Sequence, residues 1–283
     1  MGAIGTALGL PFARSGSSFR GPLDAYASGL AGAWSVSRRL LSSYPASSPL
    51  VRIRRSSDNA ELDVGSTSTG ALDTAALSSF VGGGNWFLRW VYNQQGTSGR
   101  DIGQSSASVQ PQGAIDGSGI PYVFAPNAGF TGSGMTTGAL SIDTTSATQW
   151  SVGSSSAFNF DMMTIRFASG TERRISNYSN ALIATMGTAG TTAQISSTNT
   201  GRYSVILQSK TTGSRISNRL TSATGTKFAD AQTISTIMIG QGGGGNFWSQ
   251  NSTWFAAAVW VDDIGDSSAG ALNTTSQTLF NVQ

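Results

Sequence analysis

The chain has 283 residues, no cysteine, no histidine, a charged fraction of 11% and a formal net charge of +3. Disulfides, thiolate metal sites, and Ser-His-Asp or Cys-His catalysis are excluded, because each needs a sulfur or an imidazole. Low charge with abundant Gly, Ser and Thr favours short strands joined by turns over long surface helices. No apolar run reaches the roughly 18 residues of a membrane span, so we expect no membrane insertion.

Residues 1–20 mix apolar residues with Gly and Ser and show neither helical nor strand periodicity. They form either a disordered terminus or an attachment arm that orders on a partner. The apolar side chains that would make the contact are Ile4, Leu8, Leu10 and Phe12. The start lacks the positive n-region of a signal peptide, so we expect synthesis without export. Residues 21–283 are predicted to form one domain.

Two segments near the N-terminus show helical features. Leu23–Tyr44 places apolar residues near one helical face and ends before a proline. Leu72–Phe80 is a shorter candidate, with Asp73 as its N-cap and a run of three glycines after it.

The rest of the chain is rich in short segments with strand character, bounded by Gly, Ser, Asn or Pro. The predicted strands are Leu50–Arg54, Trp86–Tyr92, Tyr122–Phe124, Met162–Phe167, Leu182–Met186, Tyr203–Gln208, Ile234–Ile239 and Trp254–Val261. Many short strands at this spacing indicate an all-β fold. We expect an antiparallel, concanavalin-like or jelly-roll β-sandwich with one or two short helices near the N-terminus.

The charged residues give weak functional signals. The fifteen arginines are dispersed and only two lysines occur, so we expect no nucleic-acid binding. Glycoside hydrolysis needs two carboxyl groups flanking the scissile bond, yet the chain has two glutamates, Glu61 and Glu172. Glu61 is expected to pair with a nearby arginine, and Glu172 to lie at a hairpin tip. We therefore predict no catalytic residues.

Asp262, Asp263 and Asp266 form the one acidic cluster, after the last predicted strand. A solvated turn explains it, and a weak calcium site is the alternative, because calcium binds several carboxylate oxygens. We expect no other cofactor.

The Gly240–Thr253 stretch is predicted to be a surface loop that contains aromatic and amide side chains. Aromatic rings pack on the apolar faces of sugars, and amides bond their hydroxyls. Trp248, with Asn246 and Gln250, is therefore a candidate glycan-binding site, and Trp86 is a second. The alternative is that these tryptophans belong to the core.

Four segments in the N-terminal third carry a family resemblance: Ala33–Tyr44, Leu50–Gly65, Gly70–Phe80 and Trp90–Gln104. In this order they resemble the start of the catalytic domain of the arabinofuranosidase B family, and related concanavalin-like modules in phage structural proteins. The resemblance implies a β-sandwich and a carbohydrate-facing ancestry. Asn93 replaces the acid of the family's YDQSG motif, and the family's cysteines are missing.

These features favour a virion-surface protein of a phage or phage-like particle, such as a head spike, fibre or decoration. Its lectin-like domain would bind host-surface polysaccharide, and its arm would contact other virion proteins; homo-oligomers are possible. This interpretation predicts a virion location and no enzyme activity. The alternatives are an arabinofuranosidase-like glycoside hydrolase and a purely structural assembly protein.

Overall fold

The structure is a computed structural model. It describes residues 19–126, 134–144, 146–155, 160–178, 181–186, 191–196, 202–210, 213–218, 220–225, 232–240 and 252–282. These residues form antiparallel strands, two α-helices and two short 3-10 turns.

The first seven strands precede residue 126, and the first helix, α1 (Thr74–Val81), lies between the third and fourth of them in chain order. They are β1 (Leu30–Ser35), β2 (Val51–Arg55), β3 (Glu61–Val64), β4 (Trp86–Val91), β5 (Ile102–Gly103), β6 (Gln112–Ile115) and β7 (Pro121–Phe124). The 3-10 turns are Asp24–Tyr26 and Ala107–Val109.

The remaining strands are longer on average and precede the second helix, α2 (Asp266–Phe280). They are β8 (Met135–Thr136), β9 (Ile142–Thr144), β10 (Thr148–Ser155), β11 (Phe160–Phe167), β12 (Glu172–Tyr178), β13 (Ala181–Met186), β14 (Thr191–Ser196), β15 (Arg202–Lys210), β16 (Gly213–Ser217), β17 (Ser222–Gly225), β18 (Gln232–Ile239) and β19 (Ser252–Trp260).

The strands form one continuous hydrogen-bonded sheet that curls on itself into a sandwich. β19 pairs with β1 and with β10, and its centre is the triplet Ala256–Ala258. The triplet is fully buried. α2 covers this region, where Phe280 meets Trp150 and Phe255 with ring centroids 6.0 and 6.4 Å apart. The predicted antiparallel β-sandwich is confirmed.

All eight predicted strands are present, and so is α1. Asp73 Oδ1 accepts a hydrogen bond from the Ala76 amide at 3.0 Å, which caps the helix N-terminus. Gly82 ends the helix in the left-handed conformation, with φ of 61°. The predicted cap and terminator of this helix are confirmed.

The predicted helix over Leu23–Tyr44 is wrong. The segment contains a 3-10 turn and then β1, every residue of which is buried. A strand buried on both faces has a continuous apolar run that periodicity does not separate from a buried helix. Gly29 has a φ of 68°, and this left-handed conformation prevents a continuous helix before the strand.

The second helix lies at the C-terminal end rather than near the N-terminus. The sequence of α2 is rich in Ser, Thr, Asn and Gly, which are poor helix formers. Its stability comes from packing, because Ala269, Leu272 and Phe280 are buried against the sheet.

The predicted division into an arm and one domain stays a prediction. Ile4, Leu8, Leu10 and Phe12, the predicted arm contacts, lie outside the described residues. In the part of the chain that the structure describes, neither helix has the length and apolar character of a membrane span.

Candidate active site

A polar surface covers one face of the β11–β12 strand pair. Across the ladder, Asp161 lies opposite Ser176, Thr164 opposite Arg174, and Arg166 opposite Glu172. Alternate residues of a strand share a face, so these side chains form one group. We call this set the carboxylate face.

A β-bulge creates the carboxylate face. The register shifts between Asp161 and Met163, which leaves Met162 as the extra residue. Without the bulge, Asp161 and Thr164 would point to opposite faces, because they are three positions apart in the sequence. Bulges re-aim side chains in this way and are common beside active sites.

Asp161 is fully buried, and burial raises its pKa from 3.8 to about 6. The hydroxyl of Ser176 donates to its Oδ1, and Arg174 lies 3.9 Å from its Oδ2. Both partners lower the pKa, while the charge of Glu172 raises it further. The result is a carboxyl group that holds its proton to nearly neutral pH.

The carboxylate of Glu172 pairs with two arginines. Arg166 donates to its Oε1 from Nε and Nη2 at 2.9 and 2.6 Å, and Arg174 Nε lies 3.2 Å from its Oε2. Two guanidinium groups therefore hold its negative charge. Glu172 begins β12 directly after the turn of the β11–β12 hairpin, beside the predicted hairpin tip, and it is 5% exposed.

Two buried oxygens of this face lack a hydrogen-bond partner among the described residues: Asp161 Oδ2 and Thr164 Oγ1. A buried polar atom without a partner is costly and is rare in native proteins. Two such atoms on one face, beside a carboxyl group with a raised pKa, mark a candidate site for a polar ligand.

The predicted glycan residues Trp248, Asn246 and Gln250 lie outside the described residues. Trp86 lines an open cleft of about 310 Å³ between α1 and the β4–β6 pair, together with Asn85 and Ile115. However, Trp86 is only 6% exposed, and its ring covers Gly113. The glycan role of these residues stays a prediction.

Two of the three aspartates of the calcium candidate, Asp263 and Asp266, have separate partners. Asp263 Oδ1 accepts hydrogen bonds from Gln208 Nε2 and the Gly265 amide, at 2.7 and 3.0 Å. Asp266 pairs with two cations. Within the described ranges, no cluster of three acidic, His or Cys residues could hold a metal ion. The calcium site stays a prediction.

Glu61 is expected to pair with Arg52, Arg54 or Arg55, but its ion pair is with Arg89 of β4, which lies on the other side of β2 from β3. Arg52 pairs instead with Asp63 at 2.6 Å. Glu61 therefore forms an ion pair, but the predicted partners are wrong.

The family-like motif around Asn93 has a structural role. Asn93 Oδ1 accepts from the Ala33 amide at 3.1 Å, and Gln94 Oε1 accepts from the Leu40 amide at 2.5 Å. Gln95 Nε2 donates to the Leu30 carbonyl. The three amides hold residues 30–40 against the end of β4. An amide oxygen accepts hydrogen bonds as a carboxylate does. Asn93 can therefore accept the hydrogen bond from the Ala33 amide although it replaces the acid of the family's motif.

Comparison with known proteins gives two results. Residues 22–123 match the family model for the catalytic domain of α-L-arabinofuranosidase B. That region is similar to an arabinofuranosidase. No curated protein sequence matches the chain significantly.

Solved structures extend the likeness to most of the chain. A glutamate-to-glutamine mutant of GH54 α-L-arabinofuranosidase, soaked with 4-nitrophenyl α-L-arabinofuranoside, shares 15% sequence identity with a TM-score of 0.68. An arabinofuranosidase complexed with arabinofuranosyl-α-1,2-xylobiose shares 15% with a TM-score of 0.67. The alignments cover 90% of this chain and 64% of each of those proteins. At this identity the likeness shows the fold.

These findings correct the interpretation of a phage surface protein. Sequence and structure comparisons both lead to arabinofuranosidases, the stated alternative. The predictions of a virion location, of virion partner proteins and of no enzyme activity are contradicted by the same matches. The resemblance to the arabinofuranosidase family is supported.

Proposed function

We propose that the chain is an arabinofuranosidase-like glycoside hydrolase and that the carboxylate face is its active site. The observation that carries this proposal is the pair of buried carboxyl groups of Asp161 and Glu172, which share Arg174 and differ in their other partners. Glycoside hydrolysis needs two carboxyl groups that flank the scissile bond.

Asp161 is the proposed general acid. Its raised pKa keeps a proton available near pH 6, and its Oδ2 has no hydrogen-bond partner among the described residues. That proton would pass to the glycosidic oxygen as the bond to the leaving group breaks.

Glu172 is the proposed charged partner. Its carboxylate would stabilise the positive charge that develops on the sugar ring in an oxocarbenium-like transition state. Arg166 and Arg174 fix its position by ion pairs, and the buried Thr164 Oγ1 has no hydrogen-bond partner among the described residues.

The proposal agrees with the matched proteins, two of which are described with arabinofuranosides bound or soaked. It is tested by incubating the full chain with 4-nitrophenyl α-L-arabinofuranoside and with arabinoxylan, and measuring nitrophenol and arabinose. We expect release by the unmodified chain. Absence of release from both substrates across pH 4 to 7 contradicts the proposal.

The matched variants are Glu172→Gln and Glu61→Gln, which change the two glutamates of the chain. Both glutamates pair with arginine, but Glu61 does so on strands β3 and β4, in the N-terminal part of the sheet. We expect Glu172→Gln to abolish release and Glu61→Gln to retain it. Equal loss in both variants, or equal retention, would show that Glu172 is not part of the active site.

A further inference from the structure

A polar groove lies between the β16–β17 hairpin and α2. It consists of two clefts, of about 330 and 250 Å³, that share Arg215. Asp266, Gly270 and Asn273 of α2 line one wall. None of these residues belongs to the carboxylate face, so the groove is a separate feature of the molecule.

The groove carries an excess of positive charge. Lys210 Nζ and Arg215 Nη1 both lie on Asp266 Oδ1, at 2.5 and 2.7 Å. Two positive charges against one negative charge leave +1 among these three side chains. Because Arg215 has five N–H donors and Lys210 has three, one carboxylate oxygen leaves most of their donors for a ligand.

A buried hydroxyl group adds a second and independent observation. Ser217 lines the second cleft and is 5% exposed, and it shares the strand face of Arg215 because the two residues are two positions apart in β16. Its Oγ has no hydrogen-bond partner among the described residues. An unpartnered buried hydroxyl costs free energy, and a ligand hydroxyl that bonds it would recover it.

We propose that the groove binds an oligosaccharide that carries a uronate carboxylate. The carboxylate would lie on Arg215 and Lys210, because a planar guanidinium matches carboxylate geometry. A hydroxyl of a neighbouring sugar would bond Ser217. This inference rests on the proposed function, since it assumes that the chain acts on glycans, and it adds a site that selects acidic ones.

Binding to the full chain is measured by calorimetry with an oligosaccharide from glucuronoarabinoxylan and with the same oligosaccharide after its carboxyl group is reduced to an alcohol. We expect the acidic form to bind at least tenfold more tightly. We expect Arg215→Gln to remove that preference. Arg52→Gln, which breaks an ion pair between β2 and β3, is expected to preserve it. Equal affinity for both forms, or loss of the preference in both variants, overturns the inference.

A second variant covers the case in which Arg215→Gln fails to fold. Ser217→Ala removes a hydroxyl that has no partner among the described residues, so we expect folding to persist while affinity falls about three- to tenfold. Unchanged affinity overturns the inference. So does displacement of the oligosaccharide by inorganic phosphate at equal concentration, because that shows a site for an adventitious anion only.

The two proposals fail separately. Glu172→Gln is expected to retain uronate binding, since the groove lies apart from the carboxylate face. Loss of hydrolysis with intact uronate preference leaves the groove assignment standing. Absence of the preference in a chain that hydrolyses arabinofuranosides contradicts the groove assignment alone.

Discussion

The β2–β3 ladder and the β11–β12 pair both carry arginines opposite carboxylates, but they differ in burial. On the first, Arg52 meets Asp63, and both side chains are more than a third exposed. On the second, Arg174 lies between Asp161 and Glu172, which are buried. Exposed pairs contribute little free energy, whereas buried charges are costly unless well paired. The burial of the second set therefore needs a reason beyond stability, and the proposed catalytic role provides one.

The largest expected effect is on catalysis. Asp161→Asn keeps the size of the side chain but removes the transferable proton, so we expect the hydrolysis rate to fall by about 10² to 10⁴. In the unmodified protein, activity should decline as the pH rises through about 6, where Asp161 loses its proton. Initial rates between pH 4 and 8 measure both effects, with Asp63→Asn as the control. A high-pH limb that persists in Asp161→Asn contradicts the role of general acid.

A large effect on stability is expected from Arg174→Met. The substitution leaves two buried carboxyl groups without their shared cation, and such losses cost about 3–5 kcal/mol. The free energy of unfolding, measured by urea denaturation, gives the value. A loss below 1 kcal/mol would mean that the buried pair resembles the exposed one, which would remove the contrast between the two regions.

A smaller effect is expected on the pH dependence of stability. The pKa of Asp161 is raised in the folded state by burial, so the folded protein binds this proton more tightly than the unfolded chain. Its contribution is fully present below about pH 4 and is lost as the pH rises through about 6. A shift of roughly two pKa units corresponds to about 3 kcal/mol. Urea midpoints from pH 3.5 to 7 should show this decline, and Asp161→Asn should flatten it.

The smallest effect is expected from Arg52→Met on the exposed ladder. This pair is open to solvent, and pairs of this kind contribute less than about 1 kcal/mol. Asp63 also keeps the hydrogen bond from Tyr92 at 2.7 Å. Thermal unfolding of the variant beside the unmodified chain tests this. A cost equal to that of Arg174→Met would show that burial does not separate the two regions.

Local patterns predicted eight of the nineteen strands and α1, because strand residues and caps are recognised from neighbouring positions. The segment around β1 was mistaken for a helix since its burial on both faces depends on β19 and on the rest of the sandwich. α2 was missed because packing stabilises it rather than helix propensity.

The candidate site was harder to predict than the fold. Glu172 was considered, but its burial depends on the surrounding sheet. Asp161 was overlooked, although an acidic residue beside the apolar run Met162–Ile165 was a usable signal. The bulge at Met162, which brings Asp161 onto the same face as Glu172, has no marker in the sequence.

The pairing of β1 with β19 has a consequence for how the chain folds. Ser35 and Phe255, which contact each other across these strands, are 220 residues apart in sequence. Contacts of such long range slow folding, because a large loop must close before they form. During synthesis, β1 is made about 220 residues before β19 and remains without this partner until β19 emerges. We therefore expect residues 22–123, translated alone, to expose the apolar edge of β1 and to aggregate rather than fold.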